Sequence, residues 1–199
     1  PVTAEKAIVA VAALDAIGPR ISVEPSRLAD TAIHLDVVVA RLSMLPSLHA
    51  VEVWVFGHNR VHHGHTLRQG MDFVWHPLTV EQYEELGRFA KLRHKLEWGP
   101  VGSGAYYLRE VWWNKMVRFP PPVRWARQMR RDQAFVAMYA IGTLATLVAL
   151  DGTSGVWQWV KVVVVPFLLF CQLIGWVVHV HHIAPEIRWW PRREWNRFR

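Results

Sequence analysis

Residues 134–178 read AFVAMYAIGTLATLVALDGTSGVWQWVKVVVVPFLLFCQLIGWVV, and this stretch decides the fold. The runs 134–150 and 162–178 carry no charge, and the glycine-containing turn DGTSG follows directly on the first. Each run approaches the roughly 20 apolar residues that a helix needs to cross a bilayer. The second extends back to Val156 if Lys161 snorkels to the interface. A helix of a soluble bundle keeps a polar face, and neither run has one. The two runs are therefore predicted to form an antiparallel transmembrane hairpin in an all-α integral membrane protein.

Charge sets the expected orientation. Lys115, Arg118, Arg124, Arg127, Arg130 and Arg131 precede the first run, and Arg188, Arg192, Arg193, Arg197 and Arg199 follow the second. The turn holds only Asp151, so both outer ends are expected on the cytoplasmic side of a multi-pass protein. Trp112, Trp113 and Trp125 on one flank, with Trp189, Trp190 and Trp195 on the other, suit an aromatic belt there.

Composition agrees. The 199 residues are one domain's worth, 1–199, yet 52% are hydrophobic and twelve are Trp, which is too apolar for a small soluble domain. The net charge of +7 would admit nucleic acid as a partner. Because the cations lie beside apolar runs and tryptophans, membrane lipids with anionic headgroups are expected instead, and no nucleic acid. Cys171 is the single cysteine, so no disulfide forms within the chain. The chain begins at Pro1 with neither an initiator Met nor a signal segment, and is expected to be a fragment or a trimmed chain.

Towards the N-terminus, residues 7–17 are apolar but too short to span, and Pro19 and Pro25 end the pattern. Asp36, Arg41, His49 and Glu52 interrupt 34–56, which predicts an interfacial or protein-buried helix. Residues 79–118 alternate charges with aromatics, as surface helices joined by a bend at Gly99, Pro100, Gly102 and Gly104.

Seven of the eleven histidines fall in two windows, HNRVHHGHT at 58–66 and HVHH at 179–182. A transmembrane hairpin returns the chain to the face it left, so the two windows can converge there. In an α-helix His58 and His62 share a face and His63 lies about 100° further round. That order could give two imidazoles to one metal and a third to a neighbour. His65, seven residues after His58, leaves a 58/62/65 stripe equally open. Imidazole suits iron, zinc, copper and nickel alike.

The stretch LPSLHAVEVWVFGHNRVHHGHT, then QGMDFVWHPLT, then VHHIAPEIRWWPRREWN resembles the membrane fatty acid desaturases, in particular their bacterial and plastid omega-6 (delta-12) branch. The likeness rests on Pro46, Glu52, Trp54 and Phe56 before the first window and on Asp72 and Trp75 after it. It continues in Val180, His181, His182, Ala184, Pro185 and Ile187, and in Glu194-Trp195-Asn196. It implies a helical membrane domain with a cytoplasmic cap and two non-haem irons held by histidines on the cytoplasmic face, to which the residues themselves add interfacial helices. It also implies O2-dependent desaturation of an acyl lipid, with electrons from a ferredoxin-like donor. The metal ligands it implies are His58, His62 and His63, with His181 or His182 contributing from the second window.

The chain departs from the family pattern in three places. The family spaces this box i, i+3, i+4, whereas His58, His62 and His63 run i, i+4, i+5, so Val61 reads as inserted. A first box is expected upstream, but ISVEPSRLADTAI at 21–33 holds no histidine. The third box is expected beyond Arg199. His65 and His76 are expected to be bystanders, His179 has no counterpart in the family, and His34, His49 and His94 are expected to be solvated or interfacial. Tyr106, Tyr107, Trp112 and Trp113 are expected to anchor the interface, with lining of an acyl tunnel as the other option. Two alternatives stay open from sequence: a non-catalytic scaffold, and a sister hydroxylase or ketolase.

Overall fold

The computed structural model describes residues 27–72, 74–75, 77–183 and 186–196, with side chains from Asp36 onward. The run 7–17, Pro19, Pro25, the side chain of His34, and His76, Ala184, Pro185, Arg197 and Arg199 lie outside the described residues. The described chain is helical: α1 Arg27–Met44, α2 Val51–His62, α3 Val80–Glu84, α4 Arg88–Glu97, α5 at 103–117, α6 Ala126–Asp151 and α7 Thr153–His182. Among the described residues the only extended pairing is one parallel bridge between Arg68 and Trp190.

Helices α6 and α7 are both long and apolar enough to cross a membrane. The chain reverses between them at Gly152, whose φ of +58° is cheap only for glycine. Gly155 then packs directly against the backbone of Leu147, and the Trp159 indole N–H donates to the Ala140 carbonyl at 3.0 Å. Pro166 would break α7 because it has no N–H to donate. A wide turn at Val160–Val164, in which the Val165 N–H reaches back five residues to the Val160 carbonyl, carries the helix past it. On α6, Met138, Ile141 and Leu150 stand 63–73% exposed, an apolar surface that needs a non-aqueous neighbour.

The helix expected over 34–56 is instead two helices meeting at 90°. Pro46 opens a short 3-10 turn, and Leu48 takes a left-handed φ of 52° that ends α-helical propagation. The Trp112 indole N–H donates to the Leu48 carbonyl at 2.8 Å and holds the bend. Asp132 of α6 ties both halves: it accepts from Arg41 Nε of α1 at 2.7 Å and from the Glu52 backbone N–H of α2 at 3.0 Å.

Two expectations about aromatic and imidazole side chains need correcting. Tyr106 and Tyr107 belong to the core, 5% and 0% exposed, rather than to an interfacial belt. His49 is buried with them rather than solvated. Its Nδ1–H donates to the Ser47 carbonyl, which leaves Nε2 to accept from the Tyr107 hydroxyl at 2.9 Å. Burial is tolerable because each polar atom finds a partner. Trp112 is half-buried against Phe167, and only Trp113 is largely exposed.

Candidate metal centre

Helix α2 does not stay α-helical to its end. Across Val55–His62 the backbone bonds run i to i+5, and the His63 N–H closes on the His58 carbonyl at 2.9 Å. In an α-helix residues five apart point about 140° away from each other. The wider turn undoes that offset and takes up the extra residue at Val61. The result is a triangle of imidazoles: ring centroids lie 5.6 Å apart for His58 and His62, 4.6 Å for His58 and His63, and 5.2 Å for His62 and His63.

The C-terminal end of α7 delivers the fourth ring. His182 stands 5.2 Å from His62, centroid to centroid, so the two windows meet. In three of the four rings Nδ1 faces an oxygen that can only accept. His58 donates to the Asn59 amide oxygen at 2.9 Å, His62 to the Asp72 carboxylate at 2.7 Å, and His182 to the Val178 carbonyl at 2.7 Å. The proton therefore sits on Nδ1 in each, and each Nε2 keeps a free lone pair, the atom a metal would take. Trp54 stacks on His58 at 4.7 Å and 14°, fixing that ring as well.

Asp72 is the strongest support of this arrangement. It is 2% exposed, and it also accepts the backbone N–H groups of Leu67 at 3.0 Å and Val74 at 3.2 Å. Burial pushes its carboxyl up, but the His62 contact and the two amides outweigh burial and hold it below the usual carboxylate range. His62, Asp72 and His182 each present a ligand atom within 4.8 Å of the others. With both carboxylate oxygens already accepting hydrogen bonds, Asp72 acts as the brace behind His62. His63 is the most open of the four rings, yet partial desolvation, and after it the neighbouring His62, lower its pKa, which favours the neutral imidazole that metals require.

The remaining histidines stand apart. His181 is exposed, one step round α7 from His182. His65 lies in the turn beyond α2, donates Nδ1–H to the Val61 carbonyl at 3.1 Å and stacks on Trp195, so no 58/62/65 stripe forms. His179 is 3% exposed and packs on Trp75 at 5.2 Å. His94 is half-buried between Tyr83 and Trp98.

The segment after α7 folds back over the loop that follows α2. The Gln69 N–H donates to the Trp190 carbonyl, the Trp190 N–H to Leu67, and the Trp195 indole to Thr66, all at 2.9–3.0 Å. Arg68 lies over the Trp195 ring at 5.2 Å. This strap joins the two histidine-bearing elements beyond the imidazoles themselves. Sequence reasoning named Asp72 and Trp54 only as points of likeness, and Trp195 as one of these and as part of an aromatic belt, because nothing in their spacing shows which histidine each one touches.

A membrane protein of long apolar helices that gathers imidazoles at one end of a span is the class these features define. Within that class the chain is similar to acyl-lipid desaturases. It is 27% identical over 166 residues to the sn-1 oleoyl-lipid 12-desaturase of Anabaena variabilis, covering 80% of this chain and 44% of that one. Identity is 27% to the sn-1 acyl-lipid omega-3 desaturase (ferredoxin) of Nostoc sp. (strain 36), with 81% and 45% covered. It is 28% to the chloroplastic omega-6 fatty acid desaturase of Brassica napus, with 80% and 34% covered. The chain thus spans less than half the length of the curated relatives it matches. No protein-family model matches it.

Proposed function

We propose that this chain carries part of the catalytic centre of a membrane fatty acid desaturase, with His58, His62, His63 and His182 as iron ligands. The supporting observation is the convergence of His62 and His182 with Asp72 braced behind His62. Neutral imidazoles with free Nε2 atoms are donors that iron accepts, so the residues fit the metal. His181, exposed on α7, contributes no ligand in this reading.

Iron held there would supply the oxidant that an unactivated methylene demands and that no side chain provides. The net reaction removes two hydrogens from an acyl chain, takes two electrons from a ferredoxin-like donor and two protons from water, and reduces O2 to two waters. The chain's own residues orient and hold. Asp72, Asn59 and the Val178 carbonyl keep the Nδ1 protons in place, Trp54 fixes His58, and the strap 186–196 ties the loop after α2 to the end of α7. Fully buried Trp75 packs on His179, one turn of α7 before His182, and keeps water from that side of the helix end. In the membrane α6 and α7 form the transmembrane hairpin, with the cluster at the cytoplasmic face, where the flanking arginines belong.

The test is metal binding by the membrane-reconstituted chain, followed through the absorption of cobalt(II) as a spectroscopic stand-in for iron. Replacement of His62 or His63 by Ala should abolish most of the signal, and His65→Ala should leave it. In the whole enzyme, loss of dienoic lipids with His63→Ala and their retention with His65→Ala are expected. An active His63→Ala enzyme would refute the assignment.

A further inference from the structure

Helix α4, RFAKLRHKLE at Arg88–Glu97, is amphipathic in the opposite sense from a helix of a water-soluble surface. Its inward face is polar. Glu97 is 6% exposed and bonds Arg109 through two hydrogen bonds, at 2.7 and 2.6 Å. Lys91 donates to the Glu84 carbonyl at 2.8 Å, and His94 packs between Tyr83 and Trp98. Its outward face is apolar: Phe89 is 90% exposed, Leu92 56% and Leu96 64%, at the i, i+3, i+7 spacing of one stripe. On a helical projection Arg88 and Lys95 border that stripe on one side and Arg93 on the other. Facing water, this helix would be inverted.

The turn that follows α4 shows what it faces. The Pro100 carbonyl accepts from Gln172 of α7 at 3.3 Å, and Gly104 and Ser103 lie directly on the backbone of α7 at Gln172 and Gly175. Gln172 precedes His182, the end of the span, by about 15 Å of helix at 1.5 Å per residue. Val101, at the tip of this turn, is 88% exposed. The turn therefore meets α7 within its apolar length, which the proposed transmembrane hairpin sets in the bilayer.

We infer that α4 is an in-plane membrane anchor whose Phe89, Leu92 and Leu96 enter the acyl region of the leaflet that holds the histidine cluster. Arg88, Arg93 and Lys95 engage its anionic headgroups. The inference rests on the proposed transmembrane hairpin and not on the metal assignment. It is tested by nitroxide labels on single cysteines at 89, 92, 96 and 193 and at Ile141 of α6, in a Cys171→Ala background. The chain is reconstituted in phosphatidylcholine vesicles containing phosphatidylglycerol. The three α4 positions should gain collisional broadening by oxygen and lose broadening by a water-soluble nickel chelate relative to 193, as at 141. Nickel broadening at 89, 92 and 96 equal to that at 193 would place the face in water and overturn the inference. Nickel broadening at 141 equal to that at 193 would mark failure of the hairpin itself. Protection from both relaxants would show that protein covers the stripe, whether a second copy or another segment of the polypeptide, and would overturn it equally.

Discussion

The Nδ1–H of His62 donates to Oδ1 of Asp72 at 2.7 Å, and Asp72 is itself pinned by the backbone amides of Leu67 and Val74. The ring therefore has one tautomer and one orientation, both set by a loop that contributes no imidazole to the cluster. A carboxylate behind a histidine raises the basicity of the free nitrogen and removes the entropy of choosing a rotamer.

Asp72→Ala should accordingly lower metal affinity by about 10–100-fold with the histidines intact. Cobalt(II) titration of the reconstituted chain measures it. Affinity equal to that of the parent would remove Asp72 from the site.

Four imidazoles converge among the described residues, and a two-iron centre asks several ligands of each metal. The purified 199-residue chain is expected to bind iron at less than two per chain and to form no unsaturated product with reductant and O2. Iron quantification and gas chromatography of the lipids check this. Turnover would mean that other residues complete the centre.

A Cβ on Gly175 would stand 2.5 Å from the Ser103 carbonyl oxygen, which is backbone and cannot swing away. Gly175→Ala should therefore force α5 off α7 and cost about 1–3 kcal/mol. A lowered unfolding midpoint in detergent is the readout, with Gly142→Ala, where nothing lies within 4 Å, as the neutral control.

Trp195 closes the strap through its bond to Thr66 and its stacking on His65. With Trp195→Ala, amide exchange across 64–72 should accelerate while that of α6 stays unchanged. Equal exchange in the two proteins would show that the backbone pairing of Gln69 with Trp190 is sufficient.

Maleimide labels at Ser154 and Arg193 should react from opposite sides of sealed vesicles in a cysteine-free background, because the cations gather at the outer ends of the hairpin. Labelling of both from one side would contradict the transmembrane hairpin and the placement of the cluster on the cytoplasmic face.

Uncharged runs of membrane length at 134–150 and 162–178 suffice to mark two long apolar helices, because an apolar helix without a polar face has few environments open to it. Residue type likewise picks out the imidazoles, since few side chains bind metal. Spacing misleads where the helix departs from its usual period. An α-helical projection turns His63 away from His58, and only the i to i+5 bonding at the end of α2 brings it back. Pairings between distant segments were equally illegible. Asp72 behind His62, His182 rather than exposed His181 beside the cluster, and His49 against Tyr107 each depend on where two elements cross. An imidazole reads the same in sequence whether it faces a metal, a phenol or water, and packing alone decides which of these it meets.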